Sequence, residues 1–327
     1  MLVITESDVA RLLTPASVER LVESSFVSLA SGLAEDFPRQ RVRSSNGILT
    51  TMWASLATEA MLGVKLYPIL RTHVTQGSSP ILVMYERKSG ALVAIIEADL
   101  LGRLRTGAAS AVATRWLARE DSRVLTVFGT GAQARSQLVA ITRTCPLLER
   151  VHIVGRSEKS TKEFVSYARA KTGLDVLVTP PETAVREADI IVTATSSSVP
   201  LFDGTMIPPG THINAIGSNF ASKRELDAAA MRRATVVVDS LDVAHVECGD
   251  LLANDLGFDG VAELGSVLTG DATGRRDSDE ITIFESHGLA IQDVACAVDL
   301  IDGFIRDRSG RVPSAELQSE ATVPKEK

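Results

Sequence analysis

Six consecutive residues, Gly129-Thr130-Gly131-Ala132-Gln133-Ala134, follow the apolar run VLTVF and open a helical pattern. In a GxGxx(G/A) turn the first glycine permits the tight reversal and the second lets the backbone approach a pyrophosphate. A small third residue lets helix and strand pack closely. The helix N-terminus adds unpaired N–H groups and a positive dipole end for phosphates. The pattern alone is weak, but its place between a strand and a helix makes it a dinucleotide turn. Gly129, Gly131, Ala132 and Gln133 are then cofactor contacts, and the implied chemistry is hydride transfer with a nicotinamide. The next strand, VHIV, runs into Gly155-Arg156-Ser157, where an NAD site usually carries a carboxylate for the ribose 2′-OH. Arg156 and Ser157 suit a 2′-phosphate instead, so NADP(H) is the favoured cofactor. NAD(H) is the alternative, with Arg156 then stacking on adenine.

Three cations stand outside the nucleotide half. Lys65 lies inside the apolar segment MLGVKLYPIL, where a charge is costly unless paired or functional. Arg105 precedes the small residues of LLGRLRTGAAS, and Arg41 lies in an earlier strand-like stretch. Singly, each reads equally well as a snorkelling or exposed side chain. Together they could bind a carboxylate, with bidentate guanidinium groups and a lysine as movable charge or proton donor.

The elements that must position these groups change in texture along the chain. A capped helix follows Thr5, and a second starts at Pro15. From Phe37 to Ile96, short runs such as GILTTMW and PILVMYE, punctuated by Gly, Pro, Asn and Ser, suggest a largely antiparallel sheet. An Ala-rich helix, Leu100 to Arg119, follows. Then VLTVF, VHIVG, DVLVT, DIIVTAT, HINAIG and TVVVD alternate with helices, the pattern of a parallel sheet covered on both faces. ITIFE feeds a long final helix, and the last residues look polar and frayed. The fold class is therefore α/β: a Rossmann-type doubly wound parallel sheet plus an α+β domain. The expected division is 1–118, completed by 290–327, around a dinucleotide-binding domain at 119–289.

Composition bounds the remaining classes. The 327 residues carry a formal net charge of -7, which argues against nucleic acid or an anionic membrane as main partner. The N-terminus lacks the basic and apolar regions of a signal peptide, and no apolar stretch approaches the ~20 residues of a membrane span. Cys145, Cys248 and Cys296 form neither a CxxC pair nor a disulfide framework, so a cytoplasmic protein is expected.

Taken in order, Arg41, LGVKL, RTGAASAVATRWLAR, FGTGAQA, GSNFASKREL, AELGSVLTG and EITIFESHGLAIQDVA resemble the ornithine cyclodeaminase/μ-crystallin family over nearly the whole chain. The resemblance implies an N-terminal substrate and dimerisation domain, a homodimer, and hydride transfer at the α-carbon of an amino or imino acid. It implies that Arg41, Lys65 and Arg105 hold the substrate carboxylate and neighbouring groups. It also implies cofactor contacts at Thr106, Thr195, Gly217, Lys223 and Ser286. Two positions depart from the family. Thr50 stands where a glutamate contacts the substrate amine, and Asn219 where a catalytic aspartate is expected. Asparagine hydrogen-bonds but is no ordinary general base.

These departures weaken diamino-acid deamination. The expected function is an NAD(P)-dependent imine or ketimine reductase, or amino-acid dehydrogenase, with Lys65 and Asn219 as catalytic residues and Thr50 near the substrate. The alternatives are ornithine or lysine cyclodeamination with internally recycled NAD, and a non-enzymatic NADPH-binding protein of crystallin type. His73, His212, His245 and His287 have no metal-ligand spacing, and no metal is expected. They read as packing residues, with an acid/base role open for His287 beside Ser286.

Overall fold

A computed structural model of the chain describes residues 1–70, 79–217 and 219–310. His73 and the frayed tail from residue 311 fall outside them. The chain begins with β1 (Leu2–Ile4), α1 (Glu6–Leu12) and α2 (Pro15–Ala30). Six strands follow: β2 (Ala34–Asp36), β3 (Gln40–Ser44), β4 (Gly47–Leu56), β5 (Met61–Leu70), β6 (Ile81–Glu86) and β7 (Leu92–Glu97). They form one sheet in the order β1-β7-β6-β5-β4-β2, with β3 also on β4. All its pairings are antiparallel except β1 with β7. From Thr50 to Leu56 along β4, buried and half-buried residues alternate, as in a sheet with one face on the core. Register sets Arg41 opposite Thr50, Thr50 opposite Tyr67 and Met52 opposite Lys65. With a side-chain period of two, all five project from the same face.

Helix α3 (Asp99–Leu117) links this sheet to the rest. Its N-cap, Ala98, offers no side chain, and Glu6 takes over by accepting the N–H groups of Asp99 and Leu100 at 2.7 and 3.0 Å. Every residue from Arg105 to Thr114 is buried, because the helix touches α2, other helices and two strands of the second sheet. Small side chains make that possible: a helix covered all round has no polar face to keep.

The second half runs β8 (Val124–Phe128), α4 (Ala132–Thr144), β9 (Arg150–Val154), α5 (Glu158–Thr172), β10 (Asp175–Val178), α6 (Pro181–Arg186), β11 (Ile190–Thr193) and β12 (His212–Ala215). It continues with α7 (Ala228–Arg233), β13 (Ala234–Val238), α8 (Leu241–Glu247), α9 (Gly249–Leu252), β14 (Ala262–Glu263) and α10 (Leu264–Thr269). The last elements are β15 (Ile281–Glu285) and α11 (Ala290–Gly310). The strands form a parallel sheet ordered β10-β9-β8-β11-β12-β15-β13-β14. This is the doubly wound arrangement expected from the alternating pattern. Helix α11 then returns to the first sheet, packing on β4, β5 and α2.

Two features were not legible in the sequence. The short β1 and helices α7 to α10 carry too few periodic residues for a local signal. The insertion of β15 between β12 and β13 is a non-local pairing that no window of sequence encodes.

His212 behaves as a packing residue. It is fully buried in the parallel sheet with Nδ1 2.9 Å from Thr282 Oγ1, and burial, aided by the nearby Arg275 charge, pushes its pKa down to about 3. Below the unfolded value of 6.5 the unfolded chain binds a proton that the folded chain refuses, so stability falls as pH drops from there toward 3. Urea unfolding of wild type and His212→Gln should therefore diverge on acidification. The wild type should lose about 2 kcal/mol more than the variant between pH 6.5 and 5.

Candidate active site

The chain winds outward from β8 to β9 and β10, then returns to β11 on the other side of β8. That switch point leaves a crevice at the carboxyl ends of the strands. Gly129 sits there at φ +110, and a Cβ on it would lie 2.3 Å from the Ala194 carbonyl oxygen. Gly131 caps α4 in extended conformation, with open space where a side chain would be. A phosphate group fits that cradle. Arg156 is exposed just past the end of β9, and Ser157 Oγ caps α5 by accepting the Ser160 N–H at 3.4 Å.

Thr195 and Gly217, expected at the cofactor, lie after β11 and β12 and share one anchor that sequence reading missed. The Glu225 carboxylate accepts the Thr195 N–H at 2.7 Å, the Thr195 hydroxyl at 2.5 Å and the Gly217 N–H at 2.8 Å. Asp250 in turn accepts the N–H groups of Glu225 and Leu226 at 2.7 and 2.9 Å. Burial raises the pKa of both carboxyls. These side chains act as fixed acceptors for loop backbone, and their isolation in the sequence carried no signal. Phe220 stiffens the same loop, with Arg41 4.5 Å and Lys223 5.2 Å from its ring centre.

A cavity of about 310 Å³ opens beside this loop. Of the expected site residues, Lys65, Arg105, Thr106, Gln133, Gly217, Asn219 and Ser286 line it. A second cavity of similar size, beside α3 and α4, is the more apolar of the two, although Glu19, Arg103, Arg135 and Arg143 line it. Lys65 and Arg105 are 4% and 7% exposed. Asp293 of α11 stands between them: Lys65 Nζ donates to its Oδ1 at 2.6 Å, and Arg105 Nε lies 3.4 Å from its Oδ2. Burial, opposed by Asp293, lowers the Lys65 pKa. One anion against two cations leaves a net positive charge on a buried wall. Hydrogen bonds remain to be made there. Lys65 spends one of its N–H groups on Asp293, and Arg105 donates from Nη1 to Gln292 Oε1 at 3.1 Å while its Nε has no hydrogen-bond partner among the described residues.

Two expected substrate contacts stand elsewhere. Arg41 is outside the cavity lining: it donates to the Asn219 carbonyl at 2.8 Å and pairs with Glu247 at 3.1 Å. Thr50, fully buried opposite Arg41, is also outside the lining. The arginine that reaches the cavity is Arg39, just before β3. Its donors are largely committed, to Tyr67 Oη at 3.1 Å, to Glu247, and to the carbonyls of His287 and Gly288. Arg39 therefore shapes the cavity, and Arg41 positions Asn219. Two arginines two residues apart offered no local means of telling these tasks apart. Cys248, Glu285 and His287 bring one potential ligand atom each within 4.8 Å of one another. Burial pushes the Cys248 thiol and the Glu285 carboxyl well up, so these two groups retain protons that a metal would have to displace.

The ornithine cyclodeaminase/mu-crystallin family model matches residues 1–307. The chain belongs to this family. It is 36% identical over 301 residues to an alanine dehydrogenase of Archaeoglobus fulgidus, covering 90% of this chain and 92% of that one. It is 37% identical over 250 residues to a Delta(1)-pyrroline-2-carboxylate reductase of Bacillus cereus, covering 72% and 75%. The structure of Thermococcus litoralis Delta(1)-pyrroline-2-carboxylate reductase in complex with NADH and L-proline superposes with a TM-score of 0.89. That match has 30% identity and covers 94% of this chain and 98% of the other. The cofactor is a nicotinamide nucleotide, which the dinucleotide turn from Gly129 to Ala134 accommodates.

Two substitutions test the geometry. Gly129→Ala places a methyl group against Ala194 and should weaken dinucleotide binding at least tenfold, measured by fluorescence titration. Asp293→Asn leaves two buried cations uncompensated and should lower the free energy of unfolding by about 3 kcal/mol in urea.

Proposed function

We propose that the protein is an NAD(P)-dependent imine reductase or amino-acid dehydrogenase acting on a small α-imino or α-amino acid. The observation that carries this reading is the Lys65–Asp293–Arg105 cluster on the wall of a dinucleotide-adjacent cavity. Its residual positive charge and unspent N–H groups suit one carboxylate, held in bidentate fashion by Arg105 and by a point contact from Lys65. When bound, the reduced nicotinamide supplies the hydride. The chain's own contribution is orientation. Arg105 and Lys65 fix the carboxylate, Asn219 offers a neutral amide to the amine side, and Ser286 presents a buried hydroxyl without a hydrogen-bond partner among the described residues. Relatives named for pyrroline-2-carboxylate and alanine support this substrate class. Cyclodeamination is disfavoured because Asn219 occupies the wall with an amide that cannot take up a proton as a carboxylate does.

For the cofactor we favour NADP(H), on the exposed Arg156 guanidinium beside Ser157. A homodimer fits the exposed apolar side chains Val42, Leu49, Ile69 and Leu70 on β3 to β5. The three free cysteines agree with a cytoplasmic setting. No described helix is long and apolar enough to cross a membrane.

The test is loss of 340 nm absorbance when protein and NADPH meet cyclic imino acids, or 2-oxo acids plus an amine. Turnover is expected with at least one of them, and its absence across the panel would sink the reductase reading. Arg105→Met should raise the substrate KM, and lower kcat/KM by about 100-fold or more, through loss of a charged hydrogen-bonding pair. Arg156→Asp should shift the ratio of kcat/KM values from NADPH toward NADH by about tenfold or more.

A further inference from the structure

We infer that Gly102 is a positioning residue of this site: its missing side chain is what lets the Lys65 ammonium lie against α3 beside Asp293. This rests on the reductase reading above and adds a residue that acts through Lys65. Gly102 stands one turn into α3. Its N–H is bonded to the Ala98 carbonyl at 3.1 Å, and its own carbonyl accepts the Thr106 hydroxyl at 2.7 Å. The backbone there is regular helix, without the positive φ that calls for glycine. Glycine inside a helix is destabilising relative to alanine, because it loses more backbone freedom on folding. Its presence therefore needs a local cause.

Close approach of another element is one such cause, and α3 shows it at its other glycine. A Cβ on Gly107 would meet Ser136 Oγ at 2.6 Å and the Ser136 carbonyl at 3.0 Å, so that position admits α4. Gly102 has no such neighbour. A Cβ on it would meet Lys65 Nζ at 2.8 Å and Lys65 Cε at 3.9 Å. Beyond its own stretch of helix, no other atom of the described residues would lie within 4 Å. The tip of one lysine fills the space a side chain would take. Gly288 makes similar room for Arg105, with a Cβ 2.4 Å from Nη1, but its φ of +80 favours glycine in any case. At Gly102 the lysine alone makes the demand.

Alanine at this position would force the ammonium aside. Moving Nζ from 2.8 Å to an ordinary contact of 3.4–4 Å is a retreat of about 0.6 to 1.2 Å. The 2.6 Å bond to Asp293 Oδ1 must then lengthen or swing. A misplacement of about 1 Å can cost about 100-fold in rate. The flexible lysine stem yields more easily than the helix, so the fold is spared while the site is not.

The experiment compares wild type, Gly102→Ala, Lys65→Ala and the double variant, by turnover of NADPH with a cyclic imino acid and by urea unfolding. Gly102→Ala should lower kcat/KM by about tenfold or more, with dinucleotide affinity held within about threefold. Its urea midpoint should equal or exceed that of wild type. In the Lys65→Ala background the same substitution should change kcat/KM by less than about twofold, because no ammonium remains to displace. There it should also raise the urea midpoint more than it does in wild type. Undiminished kcat/KM in Gly102→Ala overturns the proposal, as does failure of that variant to fold. An equal loss of kcat/KM with and without Lys65 also overturns it, marking the methyl group as an obstacle in the cavity. Where Lys65→Ala turns over too slowly to measure, equal midpoint shifts in the two backgrounds overturn it. A wild type that reduces no imino acid overturns the reductase reading; the unfolding cycle needs no substrate and still decides whether Gly102 makes room for Lys65.

Discussion

Two buried cations with one anion between them organise this molecule. Lys65 comes from β5, Arg105 from α3 and Asp293 from α11, so one electrostatic cluster joins the first sheet, the connecting helix and the end of the chain. Neither cation tolerates burial without a counterion. Asp293 is presented only when α11 crosses back from the parallel sheet to pack on β4 and β5. The path of the C-terminal helix and the charge of the cavity wall are thus one constraint. The cluster also stops short of neutrality, and the proposed substrate carboxylate would complete it.

A second organising device lies at the carboxyl ends of the parallel strands. Glu225, Asp239 and Asp250 are buried carboxylates whose partners are mainly loop N–H groups. Loops at such strand ends must carry function while leaving few main-chain donors unsatisfied. Internal carboxylates meet both demands, and rigid loops lose less when ligand binds. Arg39 works in the same way from the opposite direction, donating to the carbonyls of His287 and Gly288. The turn carrying Ser286 and His287 is therefore held from both sides.

The sequence exposed those parts whose physics is local. The turn from Gly129 to Ala134 is readable because steric demands at the pyrophosphate act over six adjacent residues. The alternation from β8 to β12 is readable because doubly covered strands must be apolar throughout. Lys65 and Arg105 could be singled out because a charge inside an apolar run demands a reason. Arg39, Glu225, Asp239 and Asp293 could not. Each is an ordinary charged residue in its own window, and its value comes from partners up to 249 residues away.

By itself, then, the sequence determined the class of fold, the presence of a dinucleotide turn and two of the cations that line the cavity. Each of these is enforced by steric or solvation costs felt within one element. Only the tertiary structure decided that Asp293 balances those cations, that Arg41 braces Asn219 while Arg39 faces the cavity, and that Asp239 orients His287. Those assignments depend on sheet register, on the insertion of β15 beside β13 and on the return of α11. Such long-range pairings are selected by the free energy of the whole core, and no local pattern records them.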